Sequence, residues 1–78
     1  MRDLVEFLVR ALVAEPDSVR VEEIDDGGDT VFEIHVAGSD LGRVIGRDGR
    51  VATAIRTITK AAASAEDGRV MVEIVEED

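Results

Sequence analysis

The 78-residue chain has no cysteine, tryptophan or tyrosine, a single proline and histidine, and only two phenylalanines. Without cysteine there is no disulfide framework and no thiolate metal site, which fits a reducing compartment. The one histidine, His35, has no second imidazole to share a metal and no thiol to activate. It falls on the polar side of a predicted strand and is expected to be solvent-exposed. No apolar run approaches the ~20 residues of a membrane-spanning helix. The opening "MRDLVEFLVR" has acids inside its apolar stretch and no small-residue cleavage site after it, unlike a signal peptide. These absences predict a soluble cytoplasmic protein with no catalytic constellation, cofactor or metal. Length allows one small domain over residues 1–78. Such a domain buries only roughly 60% of its unfolded surface, so self-association would help it.

Basic charge is also scarce. Nine Lys/Arg stand against eighteen Asp/Glu, a formal net charge of −9. The scarcity is uneven. Between Leu41 and Ala63 five basic residues face one acid, a net of +4; elsewhere four arginines face seventeen acids, a net of −13. For an anionic ligand, such a local concentration matters more than the total. Its centre is "GRVIGRDGR", Gly42 to Arg50, with three of the seven glycines and three arginines.

Periodicity supplies the elements. Arg2 to Ala14 reads as a helix with an apolar stripe of Leu4, Leu8, Ala11 and Leu12, widened by Val5, Phe7, Val9 and Val13. That is more apolar surface than a small domain can cover, which predicts a further partner for this helix. Pro16 stops it. Val19–Ile24 and Thr30–Val36 are predicted strands, joined at "DDGGD" into an antiparallel hairpin. In the second, Phe32, Ile34 and Val36 share one face and Val31, Glu33 and His35 the other. A short helix, Leu41–Ile45, follows with Ser39 or Asp40 as its cap. Then come Gly46–Gly49 and a longer helix to about Ala63, with Val51, Ala54, Ile55, Ile58 and Ala62 as its expected buried stripe. After a turn at Asp67-Gly68, Arg69 to Val75 alternates as a last strand, with Val70, Val72 and Ile74 inward. "EED" reads as a solvated tail. A strand–helix–helix–strand crossover within one sheet makes its strands parallel. The expected fold is α+β, a three-stranded mixed sheet with helices on one face.

Glycines bracket the four-residue link between the two later helices. Glycine permits a sharp turn and close approach of another backbone. The N–H groups opening the second helix form an anion site, with phosphate the usual anion. Arg47 and Arg50 add charge there, and Val44, Ile45 and residues of the Thr30–Val36 strand offer an apolar floor. The link lacks the Gly-Lys-Ser/Thr ending of a P-loop and the spacing of a dinucleotide fingerprint. The pairs Glu22-Glu23 and Asp25-Asp26 lack the spacing of a calcium loop and read as solvated turn residues.

"VIGRDGRVATAI", Val44 to Ile55, resembles the signature of the KH family. The matching positions are the loop glycines Gly46 and Gly49, the variable pair Arg47 and Asp48, and the apolar Val44, Ile45 and Ile55. Gly42 and Arg43 fit the "GRVIG" lead-in of small bacterial members, the KhpA family. The extra helix and strand come before the motif, which resembles the type II, prokaryotic arrangement. The resemblance implies a type II KH fold and a GXXG loop that clamps about four single-stranded nucleotides. It implies RNA contact along Gly42, Arg43, Val44, Ile45, Gly46, Arg47, Asp48, Gly49 and Arg50, with Arg56 and Lys60 secondary. The function implied is non-enzymatic binding of single-stranded RNA, as an RNA chaperone or post-transcriptional regulator. The partners implied are a second copy or a second KH protein of the KhpB (Jag, EloR) kind. Asp48 departs from an ideal clamp because it repels phosphate, and it is expected to cap the following helix instead. Phe7 and Phe32 are both expected in the core, leaving no exposed ring for base stacking. The other reading is a KH-shaped dimerisation or docking module with weak or no RNA binding, kept open by the −13 outside the motif.

Overall fold

The computed structural model describes residues 1–64 and 68–77. Its elements are α1 (Arg2–Leu12), β1 (Arg20–Asp26), β2 (Asp29–Ala37), α2 (Leu41–Ile45), α3 (Arg50–Ala62) and β3 (Val70–Glu77). Short 3-10 turns at Pro16–Ser18, Gly38–Asp40 and Arg47–Gly49 join them. The order is the expected one. Asp67 of the expected last turn lies outside the described residues; its neighbour Gly68 has a positive φ of 65°.

The sheet order is β1-β2-β3. β1 and β2 pair antiparallel about Gly27 and Gly28, both at positive φ. β2 and β3 pair parallel, from Thr30 beside Val70 to Ala37 beside Glu77. The helical crossover, which no hairpin could replace, makes this second pairing parallel. Phe32, Ile34 and Val36 of the central strand are buried against Val5 and Val9 of α1, Val44 of α2 and Ile55 of α3. Val70 and Val72 close the core from β3, and Ile74 packs beside them.

Three details differ from the expected packing. In α1 the core stripe is Val5 and Val9, with Val13 packed behind them, while Leu4 and Leu12 lie on the surface. Both stripes have helical spacing. Phe7 is 69% exposed, so of the two phenylalanines only Phe32 is a core residue, and one aromatic ring does lie on the surface. In α3 the buried positions are Ala52, Ile55 and Thr59, and Ala54, Ile58 and Ala62 are exposed. Thr59 tolerates burial because its hydroxyl donates to the Ile55 carbonyl one turn back, at 2.7 Å. The surplus apolar surface of the two helices meets in a groove of about 420 Å³ lined mainly by Leu8, Ala11, Leu12, Ala54 and Ile58, with Arg50 also in its wall.

The C-terminal acids are not all free tail. Glu76 and Glu77 belong to β3, and Glu77 reaches across the sheet to Arg20. Asp78 lies outside the described residues. Among the described residues no helix is long and apolar enough to cross a membrane.

Candidate nucleic-acid interface

The basic loop is built around Gly46. Its backbone has φ 75° and ψ 174°, a combination open only to glycine. A Cβ there would overlap Val51 Cγ2 and stand 2.9 Å from the Val51 backbone nitrogen. Gly46 therefore packs its bare backbone directly on the first turn of α3. Its N–H closes α2 by donating to the Gly42 carbonyl at 2.9 Å. Gly49 is also left-handed, at φ 74° and ψ 13°, but a Cβ there would meet no atom within 4 Å. One glycine serves close packing inside the protein; the other leaves its outer side open.

Gly49 is the N-cap residue of α3 and has no side chain with which to cap it. Asp48 does not take over that task. It is exposed, its backbone is left-handed at φ 56° and ψ 25°, and among the described residues its carboxylate accepts no hydrogen bond. Aspartate tolerates this conformation better than most residues, so Asp48 is here as a turn former rather than a cap. No side chain caps the 13-residue α3, although the Arg50 N–H is spent on the Arg47 carbonyl and Gly46 packs beside the Val51 nitrogen.

The expected site residues divide. Arg47 and Arg50 are exposed and have no ion-pair partner among the described residues. Arg43 is exposed too, but its Nε lies 3.2 Å from Asp40 Oδ1, so part of its charge is already answered. Gly42 has open space beyond its Cα. Ile45 is 41% exposed beside the loop. Val44 is 0% exposed: it seats α2 in the core and offers no surface to a ligand. The inward residues of β2 are covered in the same way, so of the apolar floor expected from Val44, Ile45 and that strand only Ile45 is exposed. Arg56 turns toward β3, with Nη2 3.4 Å from the Val72 carbonyl; Lys60 is exposed on α3.

Asp40 has a larger part than the sequence suggested. It is 1% exposed and, though it sits at the N-cap of α2, makes no side-chain cap bond there. Its two oxygens instead accept the Ala14 and Glu15 N–H groups, each at 3.0 Å. Ser39 donates its hydroxyl to Glu15 at 3.1 Å, so it does not cap α2 either. The chain leaving α1 is thereby tied to the start of the helix that carries the loop. Nothing in local sequence marks this, because the partners are 25 and 26 residues apart.

A three-stranded mixed sheet, helices on one face and a glycine-bracketed basic turn between α2 and α3 define a KH domain of the type II order. The KhpA/KhpB KH-domain family model matches residues 2–74. The RNA-binding protein KhpA of Caldanaerobacter subterraneus subsp. tengcongensis is 49% identical over 75 residues, covering 96% of this chain and all of that protein. The Clostridium acetobutylicum protein of the same name is 47% identical with the same coverage. That of Chlamydia pneumoniae is 36% identical over 77 residues, covering 99% of each. The chain belongs to the KhpA/KhpB KH-domain family.

Proposed function

We propose that residues 1–78 act as a single KH domain that binds single-stranded RNA, without catalysis, along the Gly46–Gly49 loop. The observation that carries this reading is the open side of Gly49, at a helix N-terminus without a side-chain cap, between Arg47 and Arg50, which have no ion-pair partner among the described residues. A phosphate reaching that point meets backbone N–H groups and the Arg47 and Arg50 guanidiniums together. Gly42 and Arg43 extend the track along α2, and Ile45 gives an apolar edge for a base. Asp48 holds the turn at an electrostatic cost to the clamp. The similar proteins named for RNA binding support the same reading. With so short a groove, recognition follows single-strandedness more than sequence. That suits an RNA chaperone or post-transcriptional regulator working in the cytoplasm.

Arg47→Asp tests it. The variant keeps every core residue and turns the variable pair of the loop into two acids. RNA affinity in filter binding is expected to fall at least tenfold while the circular dichroism spectrum stays native. Unchanged affinity would move the site elsewhere and favour the protein-docking reading.

The groove between α1 and α3 supports self-association. Apart from Arg50 its lining is apolar, and a second copy brings the same apolar surface, as a two-fold interface requires. A KhpB-type KH protein is the alternative occupant. The wild type is expected to sediment as a dimer at micromolar concentration. Ile58→Glu, at a half-exposed position, is expected to give monomers of native secondary structure. A wild type that stays monomeric at high concentration speaks against the dimer.

A further inference from the structure

The sheet face turned away from the helices contains an arrangement that RNA binding does not use. Glu22 of β1 is directly opposite Glu33 of β2 in the register, and Arg20 is opposite His35. Like charges directly opposed destabilise a sheet unless a cation lies between them. His35 is not the exposed residue its strand position suggested: it is 8% exposed, because β2 is central and side chains from both neighbours close over it. Its Nε2 is 3.3 Å from Glu33 Oε1 and 3.9 Å from Glu22 Oε2.

The other ring nitrogen is also occupied. Nδ1 lies 3.3 Å from Glu77 Oε2. Arg20 holds both outer carboxylates, through Glu22 Oε1 and, at 3.2 Å, Glu77 Oε1. Arg20 Nη2 also lies 3.5 Å from Nδ1, so Nδ1 can either accept from Arg20 or, when it carries the proton, donate to Glu77. The second arrangement is the carboxylate–histidine pairing that orients an imidazole toward a metal. In the tautomer with the proton on Nδ1, the Nε2 lone pair faces the Glu33 and Glu22 carboxylates, at 3.3 and 3.9 Å, where a cation can stand in place of a proton.

We propose that Glu22, Glu33 and His35 form a binding site for a first-row divalent cation, zinc foremost. The three ligand atoms lie within 4.8 Å of one another. Zinc bonds to nitrogen and oxygen of about 2.0–2.2 Å place tetrahedral ligand atoms about 3.4 Å apart. The Glu33–His35 separation already meets this. Glu22, whose side chain is 43% exposed, has room to close the remainder. One imidazole with two carboxylates suits zinc, cobalt or nickel; calcium and magnesium favour oxygen alone. Water completes the coordination. The ion would pin β1 to β2 where their acids repel.

Zinc chloride titrated into the metal-stripped full chain at neutral pH tests this, by calorimetry and by thermal melting. One saturable site per chain and a rise in melting temperature are expected. Glu33→Gln, a partly exposed change that spares the core, should weaken binding at least tenfold. His35→Gln should abolish it, and Glu77→Gln should weaken it about tenfold through ring orientation. Cobalt should bind competitively and show a visible spectrum of low coordination number. Absence of saturable binding, with a proton on Nε2 in nitrogen-resolved NMR, would overturn the proposal: a proton then fills the gap. Binding that survives both Glu33→Gln and His35→Gln would overturn it too. RNA affinity should not change on chelation, so failure here is separable from failure of the RNA reading.

Discussion

Gly46→Ala is expected to cost this domain about 3 kcal/mol or more, from a backbone closed to other residues and a steric overlap added together. The overlap is with Val51 of α3, including its backbone nitrogen, so no side-chain rotation relieves it. Domains of this length are stable by roughly 4–12 kcal/mol, so much of the total is at stake. Gly49→Ala is the matched control. It has the same sign of φ, but its new methyl points into open space. Its cost should be only about 1–2 kcal/mol, the left-handed penalty alone. Urea unfolding of the two variants measures the difference. Equal losses would mean that the close approach of Gly46 to α3 is not a real constraint.

Asp40→Ala should be the second severe change. Two backbone N–H groups lose their acceptor in a part-buried place, and Arg43 loses its carboxylate. Unsatisfied donors and the lost charged acceptor together should cost about 2–4 kcal/mol. Asp40→Asn retains one acceptor oxygen and should fall between wild type and alanine. The midpoint of urea unfolding orders the three proteins. An asparagine variant as damaged as alanine would assign the effect to charge, not to the two backbone bonds. Because Asp40 ties the end of α1 to the start of α2, its loss should also loosen the loop that α2 carries.

The element order, the mixed sheet and the loop were legible because each has a local signal: strand alternation, glycines at the turns, a proline after the first helix. What escaped was decided by tertiary placement. The first helix carries two apolar stripes, and sequence alone cannot choose between Val5–Val9 and Leu4–Leu8. Hydrophobicity alone puts Phe7 in the core, yet it lies outside. His35 was read as exposed on alternation, but a central strand has neighbours on both sides. Asp40 was read as a local cap, while its partners are on a distant turn. Val44 belongs to the family signature and yet is wholly enclosed, so within one motif some residues build the site and others can touch a ligand.

The central claim is that Arg47, Arg50 and the backbone around Gly49 hold the phosphates of single-stranded RNA. Titration of single-stranded and duplex oligonucleotides over a series of salt concentrations tests it most directly. Three or four neutralised phosphates, at about 0.7 each on a single strand, predict that log affinity falls against log salt with a slope of roughly −2 to −3. Arg47→Asp should make that slope shallower, and duplex should bind less well than single strand. A flat salt response in the wild type, or a preference for duplex, would contradict the phosphate clamp.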